Sequence, residues 1–155
     1  MKLQPWNVCG FLALCCAFSA TAAFAQVTSS CSLATLDGSY GFTVRGERLV
    51  PASTPGSTAR VVPVSGVAIA EYDGKGHILS RRDTISINGK VESRWGLSTG
   101  SYVVNPDCTG SSELRFTDPK RRPVHADFII VDGGKRIRTV STDSDASITT
   151  IGDKL

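Results

Sequence analysis

The sequence predicts an all-β fold, a single antiparallel eight-stranded up-and-down barrel, with a β-sandwich as the alternative. β-Branched and aromatic residues prevail from residue 38 onward, and turn signals interrupt them at short intervals. Short links favour antiparallel neighbours, and a meander of eight strands removes its exposed edges by closing into a barrel. The turn signals are Asp73-Gly74-Lys75-Gly76, Asn88-Gly89, Asn105-Pro106-Asp107, Asp118-Pro119 and Asp132-Gly133-Gly134.

The strands between these signals are predicted near 38–46, 61–72, 76–87, 90–104, 108–117, 122–131, 134–142 and 145–151. A short helical turn is expected between Cys31 and Leu36, before the first strand. Alternation fails at Arg94-Trp95-Gly96, which predicts a β-bulge there. Elsewhere it predicts an inner face made of Tyr40, Phe42, Val44, Leu114, Phe116, Val124, Ala126, Phe128 and Ile130.

Residues 1–25 have the features of a cleaved secretory signal peptide. Lys2 precedes a nearly apolar run over residues 8–18, which is shorter than the about 20 apolar residues that span a bilayer. The small-x-small sequence Ala23-Phe24-Ala25 predicts cleavage after Ala25. In the alternative, a lipoprotein signal, Cys15 or Cys16 would be acylated, but neither follows the small residue expected there.

Cleavage would leave residues 26–155 as a single β-barrel domain, secreted or periplasmic, with no transmembrane segment. Of the five cysteines, only Cys31 and Cys108 lie in this part. In an oxidising compartment we expect a disulfide between them, and closing so long a loop stabilises a fold by roughly 4 kcal/mol. The bond would hold the N-terminal segment over one barrel end. Two free thiols or a metal pair are the alternative, although no CxxC or His-rich cluster accompanies them.

The charge pattern argues against nucleic acid as a partner and indicates no other partner. After loss of Lys2, 16 Lys and Arg stand against 14 Asp and Glu, and this mild excess argues against dedicated nucleic-acid binding. The basic cluster Lys120-Arg121-Arg122 is typical of a solvated turn. It would bind an anion only with help from a second group, such as Arg81-Arg82 or Lys135-Arg136. No pattern indicates an oligomeric state.

Motifs for known chemistry are scarce. No Gly-rich phosphate loop opens a helix, and neither His77 nor His125 has a second ligand at metal spacing, so we predict no cofactor and no metal. Both histidines are interpreted as ordinary polar strand residues. The segment from Leu49 to Arg60 is polar and aperiodic, which predicts a surface loop that is either a tolerated insertion or a lid over a barrel mouth.

Asp83 is the most informative polar residue, because it shares its strand parity with Ile85 and Ile87. A two-residue turn at Asn88-Gly89 would place Arg94 opposite Asp83. The pair would then be an inward ion pair that offsets desolvation, or a solvent-facing pair of little energetic weight. As weak catalytic candidates we consider Asp83 as an acid or base and Tyr102 as a hydrogen-bond donor.

Five segments resemble one group of known proteins. They are Cys31-Ser-Leu-Ala-Thr-Leu-Asp-Gly-Ser-Tyr-Gly-Phe42, Glu71-Tyr-Asp-Gly-Lys-Gly-His77, Ser86-Ile-Asn-Gly89, Gly100-Ser-Tyr-Val-Val-Asn-Pro-Asp-Cys-Thr-Gly110 and Val131-Asp-Gly-Gly134. In this order the chain resembles bacterial secreted proteins with an allene-oxide-cyclase-barrel-like domain, within the lipocalin-like barrels. The resemblance implies a closed barrel whose interior holds an apolar or amphipathic molecule. It implies no reaction, because no functional residue of the plant cyclases matches a position here.

Three hypotheses follow for function. The first is a barrel that binds a small hydrophobic or amphipathic ligand. The second is a cyclase- or isomerase-type enzyme acting on a lipid-like substrate, and the third is a filled barrel with a structural or interaction role. The ligand contacts expected for the first are Tyr40, Phe42, Asp83, Ile85, Tyr102, Phe116 and Phe128.

Overall fold

A computed structural model describes residues 30–52, 54 and 56–155, and the predicted signal peptide lies outside these residues. The described chain forms a closed antiparallel barrel in which every strand pairs with its neighbours in sequence. A short 3-10 turn over Leu33–Thr35 precedes the first strand, as expected. The strands are β1 (Asp37–Val50), β2 (Arg60–Asp73), β3 (His77–Ile87), β4 (Lys90–Val104), β5 (Thr109–Phe116), β6 (Val124–Val131), β7 (Arg136–Ser141) and β8 (Ala146–Lys154).

The pairing of the first strand with the last closes the barrel. β1 and β8 are antiparallel from the Tyr40–Lys154 pair to the Arg48–Ala146 pair. The predicted up-and-down barrel is therefore confirmed, and the β-sandwich alternative is wrong. β1 runs to Val50 rather than to residue 46, because its polar second half pairs with β2 on one side and β8 on the other.

The predicted turn chemistry agrees with the backbone. Asn88 and Gly89 both have positive φ, as a two-residue hairpin turn requires. The predicted bulge is also present, since the β3–β4 register shifts between Asp83 and Thr84 and Trp95 has a φ of 53°. A bulge turns one residue out of the alternation and bends its strand.

The strand directions give the barrel two different ends. The N-terminus of β1, the C-terminus of β8 and the links 74–76, 105–108 and 132–135 lie at one end, which we call the sealed end. The links 51–59, 88–89, 117–123 and 142–145 lie at the other end, which we call the mouth. The predicted surface loop between β1 and β2 therefore lies at the mouth.

The N-terminal segment covers the sealed end. Cys31 forms a disulfide with Cys108, with 4.9 Å between their Cα atoms. Leu36 is fully buried, and the Tyr102 hydroxyl donates hydrogen bonds to the carbonyls of Leu33 and Leu36 at 3.1 and 2.9 Å. This segment is a plug, and the disulfide ties it to the link that leads into β5.

Aromatic side chains fill the interior beneath the plug. Tyr72 packs edge to face against Tyr40 and Tyr102, with ring centroids 5.3 and 5.2 Å apart. Gly110 and Gly152 make room for rings of the same core, because a Cβ at either position would overlap Phe128 or Phe42. The sealed half of the barrel is consequently a packed core.

Removing the disulfide should destabilise the barrel without changing its fold. We expect the Cys31→Ser/Cys108→Ser double variant to lose roughly 4 kcal/mol of unfolding free energy, because a long loop is no longer closed in the unfolded chain. Urea titration of the purified variant and wild type measures this loss. Alkylation of two thiols in wild type purified from an oxidising medium, without reductant, would contradict the bond.

Acid should loosen the sealed end through Asp73. Partial desolvation raises the pKa of Asp73, but bonds from the backbone N–H groups of His77 and Lys75 and from the His77 ring outweigh it and lower the pKa to about 2. A carboxylate with a depressed folded pKa stabilises the fold above its unfolded pKa, about 3.9, and this contribution disappears as the pH falls towards 2. Between pH 4 and pH 2, Asp73→Asn should therefore lose less stability than the wild type.

The matched control for Asp73 is Asp118→Asn. The Asp118 carboxylate also accepts a backbone N–H in a turn, but only from Lys120. Denaturant midpoints measured at several pH values should show the smaller acid loss for Asp73→Asn alone. An equal dependence of the denaturant midpoint on pH in the two variants would show that Asp73 makes no particular contribution to stability against acid.

Candidate functional site

The mouth half of the barrel encloses a cavity of about 560 Å³. This volume lies within the range of pockets that hold small organic ligands. Apolar side chains from six strands form most of its wall, and polar side chains gather at its floor and rim. The principal apolar residues are Phe42, Val44, Val64, Ile85, Leu114 and Phe116.

The floor of the cavity lies where β2 ends and β3 begins. Tyr72 pairs with Ile78 across these strands, and both residues line the cavity. Arg81 lies just beyond a bulge in β3 and also lines it. Tyr72 is 8% exposed, and burial raises the pKa of its phenol although the charge of Arg81 partly lowers it. The phenol is therefore protonated at neutral pH.

A buried ion pair crosses from the floor to the wall. The Asp83 carboxylate is 2% exposed and lies 3.6 Å from the guanidinium of Arg81, whose side chain is 13% exposed. The Ser93 hydroxyl donates to the same carboxylate at 2.8 Å. Burial lowers the pKa of Arg81, and Asp83 offsets part of this effect. Each group thus needs the other, since an unpaired buried charge is costly.

The predicted pairing of Asp83 with Arg94 is wrong. Asp83 faces Gly96, and Arg94 faces Thr84 with its side chain outside the barrel. The ideal hairpin register fails because Glu92 and Trp95 are extra residues in β4, and each shifts the pairing by one position. Of the two orientations that the sequence leaves open for Asp83, the inward one is present, and its nearest cation, Arg81, comes from its own strand.

A second arginine approaches from the mouth. Arg121 lies in the β5–β6 link, and its guanidinium carbon is 3.5 Å above the ring centre of Phe116. Its Nη1 atom is 4.0 Å from Asp83 Oδ1, and its side chain is 36% exposed. Such stacking shields the face of an apolar ring while the charge keeps contact with water. Arg121 therefore lies at the mouth of the cavity, above the Phe116 side of its wall.

The rim is held together by charges from three segments. Asp145, in the connection 142–145, accepts hydrogen bonds from Arg48 of β1 at 3.3 Å and from Arg122 of the connection 117–123 at 2.7 Å. The basic cluster of the sequence is thereby divided, since Arg121 turns over Phe116 and Arg122 binds Asp145. None of the described residues between 51 and 59 lines the cavity.

The residues expected to contact a ligand fall into two groups. Phe42, Asp83, Ile85 and Phe116 line the cavity. The other three, Tyr40, Tyr102 and Phe128, belong to the packed core of the sealed half. Asp83 and Tyr102 are not brought together, because the Tyr102 hydroxyl is bound to plug carbonyls.

Sequence reasoning missed Tyr72, Arg81 and Ser93, yet two of them had a readable signal. Arg81 lies two positions before Asp83, and equal parity in a strand means one face. Tyr72 lies between the polar residues Glu71 and Asp73, and this alternation predicts that it points inward. It follows residues 67–70, which are apolar on both faces of the strand. Ser93 had no such signal, because the bulges in β4 decide which way it points.

Both histidines pair with nearby carboxylates at the surface. The Nδ1 atom of His77 is 2.7 Å from Asp73, and that of His125 is 3.0 Å from Asp143. Within the described part of the chain, no group of three or more His, Cys, Asp and Glu is arranged to hold a metal ion. The same part contains no helix long and apolar enough to cross a membrane.

Loss of the Asp83 charge should destabilise the protein far more than loss of Arg94. In Asp83→Asn the Arg81 guanidinium stays buried without its counter-charge, which we expect to cost about 3 kcal/mol. Arg94→Ala removes an exposed side chain and should change stability by less than about 0.5 kcal/mol. Urea unfolding of both variants tests the corrected pairing, and a larger effect of Arg94→Ala would restore the original one.

Comparison with known proteins gives no match to a family model, a curated protein or a solved structure. The closed eight-stranded barrel has the architecture of a lipocalin-like fold. Membership in the allene-oxide-cyclase-barrel-like group stays an expectation from the sequence segments quoted above.

Proposed function

We propose that this chain is an exported barrel protein that binds a small hydrophobic or amphipathic molecule in its cavity. The observation that carries the proposal is the asymmetry of the interior. Aromatic packing and a plug close one half, while the other half holds about 560 Å³ of space behind a charged rim. A filled barrel with a structural or interaction role would have side chains packed throughout its interior.

Three further features support the proposal. The wall of the cavity is mainly apolar, with a few convergent polar groups, which is the usual composition of a small-molecule site. The disulfide suits an oxidising compartment and so agrees with export by a signal peptide. The segments that resemble secreted allene-oxide-cyclase-barrel-like proteins favour the same kind of interior.

A cavity-filling substitution should abolish binding. Ala126 lines the cavity between Ser112 of β5 and Ser141 of β7, and its replacement by phenylalanine would place a ring in the free space. We expect the affinity for pyrene, an uncharged apolar fluorophore, to fall by about tenfold or more in Ala126→Phe. Fluorescence titration with the purified protein measures it.

The matched control is Ile129→Phe. Ile129 lies on the same strand with 44% exposure on the outer surface, so an added ring there leaves the cavity unchanged. Pyrene should bind this variant as it binds the wild type. Equal pyrene binding by a folded Ala126→Phe variant, or no binding by the wild type, would contradict the proposal.

A further inference from the structure

The floor of the cavity presents hydrogen-bond donors that have no acceptor in the protein. Among the residues that the structure describes, no hydrogen bond is made by the Tyr72 hydroxyl or by the Arg81 guanidinium. Both side chains are largely buried, and both line the cavity. The one salt bridge of Arg81 with the described residues is to Asp83, and a guanidinium carries five N–H donors.

Unlike Tyr72, the two tyrosines that pack against it have hydrogen-bond acceptors for their hydroxyls. The Tyr40 hydroxyl donates to the Gly134 carbonyl at 2.5 Å, and Tyr102 donates to two carbonyls of the plug. The three rings form one stack, yet of these three hydroxyls the one of Tyr72 lacks a partner among the described residues. These donors are open to the cavity, since among the described residues the Ser98 hydroxyl is the one fully buried side-chain polar group without a partner. Donors that line a mainly apolar cavity favour a ligand that brings an acceptor.

The charges around the floor decide what kind of acceptor fits. Arg81 is already balanced by Asp83, whose carboxylate is almost completely buried. A second anion at the floor would be desolvated beside that carboxylate and repelled by it. Arg121 also approaches the Asp83 carboxylate, to 4.0 Å, but it reaches down from the mouth with its side chain 36% exposed, so water screens its charge. The other basic residues of the lining belong to the mouth. An uncharged oxygen acceptor avoids both costs.

We propose that the floor binds the carbonyl oxygen of an uncharged ligand, such as a ketone, ester or amide, through the Tyr72 hydroxyl and the Arg81 guanidinium. The ligand enters with its oxygen first, and its apolar remainder lies against Phe42, Ile85 and Leu114 on the way to the mouth. The inference rests on the proposed binding function and adds the chemical class and orientation of the ligand.

Competition against pyrene tests the inference with three probes of equal carbon number. Decane has no acceptor, methyl octyl ketone has a neutral one and decanoate has a charged one. In the wild type we expect the ketone to bind more tightly than decanoate, whose charge must be desolvated at the floor. In Tyr72→Phe the ketone should bind about tenfold more weakly, the loss typical of one hydrogen bond, while pyrene and decane bind as before.

Tyr40→Phe is the matched control, because it removes a phenol hydroxyl of the same stack that does not line the cavity. It should lower the unfolding free energy by about 1 kcal/mol and leave the ketone preference intact, whereas Tyr72→Phe should not destabilise the fold. The comparison of the ketone with decanoate in the wild type needs no variant and stands even if a variant folds poorly.

Two results would overturn the inference while the binding function stands. One is tighter binding of decanoate than of the ketone, which would make the floor an anion site. The other is equal binding of the ketone by the wild type and by Tyr72→Phe, which would mean that the floor donors hold only water. Failure of pyrene itself to bind would overturn the proposed function, and the inference with it.

Discussion

The pairing of β1 with β8 is the constraint on which the remaining structure depends. It converts a meander into a closed barrel, so that no strand of the described sheet has a free edge. Closure also creates an inside. The alternating residues of every strand then face one another around a common axis, and the fate of that interior follows from the size of their side chains.

The interior is divided because residue sizes differ along its length. Towards the sealed end, tyrosine and phenylalanine rings meet over small residues such as Ala70, Gly110 and Gly152. Towards the mouth, aliphatic side chains such as Val44, Val64 and Ile85 do not reach across, and space is left between them. Close packing at one end therefore coexists with a cavity at the other. The disulfide strengthens this division, because the plug it holds belongs to the packed end.

Charge within an apolar barrel is tolerated here by local pairing. Arg81 and Asp83 come from one strand, two positions apart, and point to the same face. Their mutual compensation keeps the cavity close to neutral below the rim, while the surplus of basic side chains stays at the mouth, where water screens it. A site built in this way selects by hydrogen bonding and shape more than by net charge. The proposed preference for an uncharged carbonyl ligand is the consequence of that arrangement.

Much of the fold was accessible from residues close in sequence. Turn dipeptides marked the hairpins, because positive φ suits Asn and Gly, and alternation identified the inner face from Tyr40 to Ile130. The two cysteines beyond the predicted leader indicated the disulfide. Even the bulge at Trp95 was predicted from the failure of alternation. These signals are local, so a single sequence contains them.

The sequence by itself thus determined the all-β class, the strand order and the disulfide, and it left open whether Asp83 points inward. Tertiary structure decided which cations surround Asp83, because two extra residues in β4 moved Arg94 away, which left Arg81 of the same strand at 3.6 Å and Arg121 of the β5–β6 link at 4.0 Å. It also decided which inward residues line space and which fill it. That outcome depends on how completely the side chains of eight strands together fill the interior of a closed barrel, and no single stretch of sequence shows that packing.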